Sequence, residues 1–142
     1  MKGFYLAIGK QGSGKTLFIT KLVSENLNNR KVFSNYHLKK IPYERISFNK
    51  EAYQDLVDES SYDSIIDILE MLEKDVNYFN NSIMLLDEIH IDLDSLDYMK
   101  DTNRKLQKFF SQLRKRNILL LGTTQYIMNL DVRIRRQCMN VF

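Results

Sequence analysis

Residues 4–16 read Phe4-Tyr5-Leu6-Ala7-Ile8-Gly9-Lys10-Gln11-Gly12-Ser13-Gly14-Lys15-Thr16, a short apolar run that passes without a break into Gly9-x-x-x-x-Gly14-Lys15-Thr16. No other stretch so narrows what the chain can become. Glycines at these spacings let consecutive backbone N–H groups turn inward, a cradle that fits the oxygens of a nucleotide's phosphates. Lys15 is placed to meet the β- and γ-phosphates. Thr16, one residue on, offers a hydroxyl to a Mg²⁺ ion as a helix begins, and the positive end of that helix faces the same phosphates. The contact set is Gly9, Lys10, Gln11, Gly12, Ser13, Gly14, Lys15, Thr16 and Leu17, and the ligands it implies are ATP and Mg²⁺. The context this motif requires, a strand before and an amphipathic helix after, is met by Phe4–Ile8 and by Leu17, Ile19, Leu22 and Val23.

The chain has 142 residues, 44% of them hydrophobic, which is enough for one domain with a core of its own. We therefore expect residues 1–142 to form one phosphate-loop domain. There is no run of about 18 apolar residues and no signal-peptide layout ahead of the first strand, so the expected location is the cytoplasm. Cys138 is the sole cysteine and is read as a small buried hydrophobe.

The net charge of +3 is unevenly spread. Residues 1–50 carry ten Lys/Arg against two acids, residues 51–100 two against fourteen, and residues 101–142 nine against two. Two readings stay open: a positive surface for a polyanion, or segments that neutralise one another once folded.

After the loop, a helix is predicted to about Asn28, stopped by Asn28-Asn29, then a strand over Val32–Ser34. Residues 36–50 are expected to be irregular or short-stranded around Pro42, with His37 structural or exposed. A short helix is expected over 49–59. A firmer one is expected over 63–79, where Ile65, Ile68, Leu69, Leu72, Val76 and Phe79 recur at helical spacing while Asp63, Asp67, Glu70, Glu73 and Asp75 take the other positions.

Ser82-Ile83-Met84-Leu85-Leu86-Asp87-Glu88 is a continuous apolar run that ends in two acids. A strand buried on both faces of a parallel sheet reads this way when it delivers carboxylates to the sheet's carboxyl edge. In this Walker B element Asp87 is expected to hold Mg²⁺ and Glu88 to polarise the water that attacks the γ-phosphate. No catalytic role is expected for His90. Residues 92–101 are acidic and loop-like, but lack the central glycine and terminal glutamate of a calcium loop.

A helix is predicted over Thr102–Arg116, burying Leu106, Phe109, Phe110 and Leu113 and aligning Arg104, Lys108 and Lys115 on the opposite side. That basic stripe is either a track for a phosphate backbone or a solvated face. Residues 117–125 form another apolar strand, whose polar end places Gln125 within reach of a γ-phosphate or its water. Arg133, Arg135 and Arg136 follow, and one of them is a candidate for a neighbouring subunit's nucleotide.

The phosphate loop, Val32-Phe33-Ser34-Asn35, Leu85-Leu86-Asp87-Glu88, Arg114-Lys115-Arg116-Asn117 and Thr124-Gln125 followed by Asp131-Val132-Arg133-Ile134-Arg135 together resemble the FtsK/HerA superfamily of P-loop ATPases. Within it they are similar to the Zot-like proteins of filamentous phages and related viral ATPases. The resemblance implies an α/β fold of RecA-like type, with a mainly parallel sheet flanked by helices, an additional strand and a catalytic glutamate. It places the Walker B strand beside the Walker A strand. It also implies homo-oligomeric rings, hexamers among them, that move DNA or assemble virions, with non-specific DNA and viral or membrane assembly partners, in the host cytoplasm if the chain is viral. The chain is shorter than those relatives and shows no membrane segment of the kind Zot-like members carry, so it is expected to be either truncated at its C-terminus or a minimal viral ATPase.

The expected activity is Mg²⁺-dependent ATP hydrolysis, with Glu88, Lys15, Gln125, Arg133 and Arg135 as catalytic candidates and Thr16 and Asp87 as metal ligands. One alternative is an ATP-gated assembly or secretion protein with slow turnover. Another is a small nucleotide or nucleoside kinase. The kinase is disfavoured by the acidic residues at 92–101, where an arginine-rich lid would lie, and by Glu88, since a kinase must exclude water from its γ-phosphate.

Overall fold

Each of the three apolar runs becomes a strand: the first two stop where the apolar residues end, and the third continues through Thr123 and Thr124. The computed structural model describes residues 1–10, 12–46, 61–89, 100–127 and 132–141. Among these the strands are β1 (Gly3–Ile8), β2 (Lys31–Ser34), β3 (Glu44–Arg45), β4 (Ser82–Leu86), β5 (Leu119–Thr124) and β6 (Cys138–Val141). The helices are α1 (Lys15–Glu25), α2 (Ser61–Lys74), α3 (Lys100–Ser111) and α4 (Val132–Arg135). The strands form one sheet in the order β3-β2-β4-β5-β1-β6, and every pairing is parallel.

This order corrects the expected neighbourhood of the two Walker strands. β1 and β4 do not touch; β5 lies between them, pairing Leu6 with Gly122 on one side and Leu86 with Gly122 on the other. The reason is burial. Leu119, Leu120 and Leu121 are all fully buried, and a strand apolar on both faces gains most at the centre of a parallel sheet. The additional strand of the expected architecture is therefore β5 itself, and its polar end emerges between the phosphate loop and Asp87.

The two faces of the sheet hold separate cores. On one, Ile19 and Val23 of α1 pack against Ala7, Val32, Ile83, Leu85, Leu119 and Leu121. On the other, Ile68, Leu69, Leu106, Phe109, Phe110 and Ile134 from α2, α3 and α4 pack against Phe4, Leu6, Phe33, Met84, Leu86 and Leu120. The alternation of Ile83 and Leu85 with Met84 and Leu86 follows from the period-2 pleat of a strand.

The helices depart from their sequence-based limits at both kinds of terminus. α1 ends at Glu25, and Asn28 and Asn29 take left-handed backbone (φ 44 and 61) on the way into β2, which asparagine tolerates better than most residues. α2 stops at Lys74 rather than 79 because the Asp75 carboxylate accepts the Asn77 N–H at 2.9 Å, a turn that competes with the next helical bond. Val76 is consequently 53% exposed, whereas Phe79 is still buried from the turn that follows. Asp67, expected on the solvent side, is buried and lines a small cavity with Arg45, Ile46 and Phe79.

α3 ends at Ser111, and turns carry the chain to Asn117 at φ 55. Arg104 and Lys108 are exposed on α3, but Lys115 lies beyond its end, so the three do not form one helical stripe. The helix expected over 49–59 and His90 lie outside the described residues, as does the loop expected over 92–101 except for Lys100 and Asp101, which instead open α3. Cys138 is half-buried in β6. His37 is exposed, with Nδ1 3.0 Å from the Tyr43 hydroxyl. Among the described residues no helix is long and apolar enough to cross a membrane.

Candidate functional site

The carboxyl ends of β1, β4 and β5 bring the phosphate loop, Asp87 and the end of β5 together, whereas Arg133 and Arg135 lie apart on α4. The loop from Gly9 leads to Gly14, which caps α1 at φ 87, and Gly12 stands at φ 81. Both glycines have open space where a Cβ would be, so what is required of them here is conformation rather than room. Gly9 donates to the Thr124 carbonyl at 3.2 Å and so ties the loop to the end of β5. Within the loop, the Lys10 carbonyl accepts the Ser13 N–H at 3.1 Å and the Lys15 ammonium at 3.4 Å. Gln11 lies outside the described residues. A cleft of about 300 Å³ borders the loop, lined by Ala7, Ile8, Ser13, Gly14, Lys15 and Phe18. Leu17 is 76% exposed, in contrast to its expected place on the buried side of α1.

Thr16 at the start of α1 and Asp87 just past β4 meet directly, with the threonine hydroxyl donating to Asp87 Oδ1 at 2.9 Å. Two hard oxygen donors side by side, one hydroxyl and one carboxylate, suit Mg²⁺, which takes few protein ligands and keeps several waters. No cluster of three or more His, Cys, Asp or Glu that could hold a metal ion occurs among the described residues. Glu88 is exposed and stands at φ 55, a left-handed position that turns the chain sharply after Asp87. Gln125 follows β5 immediately and is half-buried.

Two residues with no role assigned from the sequence complete the cluster. Asn35, at the end of β2, accepts the Asp87 N–H at 2.7 Å and donates from Nδ2 to the Asp87 carbonyl at 3.1 Å. Thr123, in β5, donates to Asp87 Oδ1 at 2.6 Å and accepts the Glu88 N–H at 2.8 Å. The readable signal was slight: a short polar residue at the carboxyl edge of each strand flanking β4. A second layer backs Thr16, whose carbonyl accepts the Thr20 hydroxyl at 2.8 Å while Thr20 lies 2.8 Å from the Tyr36 hydroxyl. Burial, added to by the negative charge of Asp87 and opposed by the Thr20 hydrogen bond, pushes the Tyr36 phenol up to about 12.

Arg133 and Arg135 lie on α4, which rests against α3. With the Gln107 amide oriented by its neighbours, its oxygen accepts from Arg133 Nε at 2.9 Å and Nη1 at 3.2 Å. A second cleft, about 340 Å³ between α2 and α3, holds no phosphate-loop residue.

The chain is similar in fold to the N-terminal domain of zonular occludens toxin from Neisseria meningitidis, with 23% identity, a TM-score of 0.59, and 97% of this chain covering 74% of that one. It is also similar to the AAA domain of FIGL-1, with 16% identity, a TM-score of 0.52, and 98% of this chain covering 41% of that one. No curated protein matches the sequence closely enough to count as a relative. A family model described as "ATPase family associated with various cellular activities (AAA)" matches residues 5–142, and on that match, with the phosphate loop opposite a paired Asp87-Glu88, the chain belongs to the AAA family of ATPases.

Proposed function

We propose that this ATPase is a Mg²⁺-dependent motor of the FtsK/HerA kind, similar to the Zot-like proteins, whose turnover drives DNA translocation or virion assembly from a homo-oligomeric ring. The observation that carries the catalytic part is the direct contact of Thr16 with Asp87, beside a glutamate turned out into solvent. In this reading the loop from Gly9 to Leu17 binds the phosphates through its N–H groups, and Lys15 places its charge on the transferring phosphoryl group. Thr16 and Asp87 are the residues that would hold Mg²⁺. When bound, the ion neutralises charge that develops on the phosphate oxygens. Glu88 accepts a proton from the attacking water, whose oxygen bonds to the γ-phosphorus as the bond to ADP breaks. Gln125 orients that water or the γ-phosphate from the end of β5.

The motor role draws support from the residue pattern at 85–88, 124–125 and 131–135, and from the basic flanks of the chain. Steady-state phosphate release by wild type and Glu88→Gln tests the chemistry. A drop of about 10²–10⁴-fold is expected for removal of a positioned base, and equal rates would remove Glu88 from the mechanism. Adding duplex or single-stranded DNA then tests the polymer. Stimulated hydrolysis supports translocation, whereas nucleotide-dependent oligomers with DNA-indifferent, slow turnover support the assembly role instead.

A further inference from the structure

Thr123 makes hydrogen bonds to three consecutive residues of the Walker B turn. Its hydroxyl meets Asp87 Oδ1 at 2.6 Å and the Glu88 nitrogen at 2.8 Å, and its carbonyl accepts the Ile89 N–H at 2.7 Å. The direction of the hydroxyl proton is settled by the partners. A backbone N–H only donates, so the hydroxyl accepts from Glu88, and its one proton goes to Asp87 Oδ1. Thr123 is itself fully buried, so its hydroxyl meets both partners from the interior of the sheet.

What these bonds hold is a backbone position that glutamate does not prefer. At φ 55 Glu88 is in the left-handed region, which costs a non-glycine residue on the order of 1 kcal/mol and persists only where neighbours impose it. The turn is imposed from both ends. Before it, the Glu88 N–H is fixed on the Thr123 hydroxyl. After it, Ile89 is fully buried over β5, in space that exists because residue 122 is glycine; a Cβ there would collide with Ile89 Cδ1.

Building on the roles proposed above for Asp87 and Glu88, we propose that Thr123 is the positioning residue that couples them. One hydroxyl orients the metal-binding carboxylate and, through the same atom, fixes the peptide that aims the water-activating glutamate. Thr16 is the other donor to Asp87 Oδ1. If Thr16 turns toward a metal, Thr123 is what keeps Asp87 from following it.

Thr123→Val keeps shape and removes both hydroxyl bonds, while Thr123→Ser keeps them. Partners that orient metal ligands typically contribute about 10–100-fold in activity or metal affinity. Thr123→Val is therefore expected to lower kcat by at least about tenfold with the KM for ATP changed much less. It is also expected to raise the Mg²⁺ concentration needed for half-maximal binding of a fluorescent ATP analogue, a readout independent of turnover. Thr123→Ser should restore both. If Thr123→Val does not fold, Thr123→Ala is compared with Thr123→Ser in the same two assays.

A residue of purely structural importance would lower the melting temperature yet leave the kcat of the folded protein and its Mg²⁺ dependence at wild-type values. That result overturns the inference. Glu88→Gln is run alongside. If it turns over like wild type, the roles of Asp87 and Glu88 are themselves wrong; if it is inactive while the hydroxyl-free Thr123 variant is unimpaired, the coupling role of Thr123 alone is lost.

Discussion

The side-chain amide of Asn35 pairs with both backbone polar groups of Asp87, accepting its N–H at 2.7 Å and donating to its carbonyl at 3.1 Å. Asn35 is only 8% exposed, and its own N–H donates to the Leu85 carbonyl at 3.1 Å, so the β2–β4 ladder is extended past β2 by a side chain that mimics a strand. Removing that side chain leaves both the backbone N–H and the carbonyl of Asp87 without this partner. Asn35→Ala is expected to destabilise the fold by about 1–3 kcal/mol, the usual cost of unpairing partly buried groups. Asn35→Asp keeps an acceptor for the N–H but has no donor for the carbonyl and adds charge near Asp87, so it should not rescue. Urea unfolding midpoints decide this, and an alanine variant within about 0.5 kcal/mol of wild type, the range of ordinary surface changes, would contradict it.

Two glycines should fail for different reasons. Gly12 has open space around it but sits at φ 81, so Gly12→Ala meets only the left-handed penalty, about 1–2 kcal/mol. Gly122 lies in β5, where an added methyl would press on Ile89 and come within 3.3 Å of Leu6 Cδ2. Gly122→Ala is expected to cost about 1–3 kcal/mol as overpacking. Ile89→Val, which deletes the colliding methyl, should recover most of that loss in the double variant while doing nothing for Gly12→Ala. Additive effects of Gly122→Ala and Ile89→Val in a double-mutant cycle would show that the two side chains do not compete for one space.

What was legible in the sequence, and what was not, divides by distance along the chain. The phosphate loop and the Asp87-Glu88 terminus could be read because phosphate and metal chemistry dictates residue types at fixed short spacings. Strand order could not. Leu119–Leu121 declare a buried strand, but which pair of strands they separate depends on packing across the whole sheet. Thr123 and Asn35 reach Asp87 from 36 and 52 residues away, and their places as short polar residues at strand ends do not name the partner. Helix ends were misjudged where one side chain or turn outcompetes the helical pattern: the Asp75 carboxylate bonding Asn77 stops α2 early, and the turns after Ser111 remove Lys115 from the basic stripe. Periodicity counts apolar residues, and it does not see such local competitors.

The phenol of Tyr36 links the site to alkaline pH. Its folded-state value is raised from the ordinary 10 to about 12, chiefly by burial, with Asp87 adding repulsion. Between those limits the unfolded chain gives up the Tyr36 proton while the folded one retains it, so stability falls as pH rises through that window and is intact below it. The two-unit difference corresponds to roughly 2–3 kcal/mol at most. Tyr36→Phe has no such proton, and its stability should decline less steeply between about pH 10 and 12 than that of wild type. Parallel urea curves at several pH values measure the difference. If both proteins lose stability in step, Tyr36 is not the group that titrates there.

A shared active site is the remaining expectation, and α4 is where it is tested. Arg133 and Arg135 are displayed on a one-turn helix anchored by buried Ile134, with Arg133 held against Gln107 of α3. An arginine supplied to a neighbour's nucleotide is worth about 10³–10⁵ in turnover where it acts, so isolated subunits should be nearly idle and specific activity should climb with protein concentration. Mixing gives a sharper measurement. Lys15→Ala subunits have an impaired phosphate loop but intact arginines, whereas Arg133→Ala or Arg135→Ala subunits have the reverse. Each should be almost inactive alone, and a mixture should exceed the sum of its parts if the missing arginine acts across an interface. A mixture that stays at that sum, together with constant specific activity from the monomeric range upward, would mean that each subunit completes its own site.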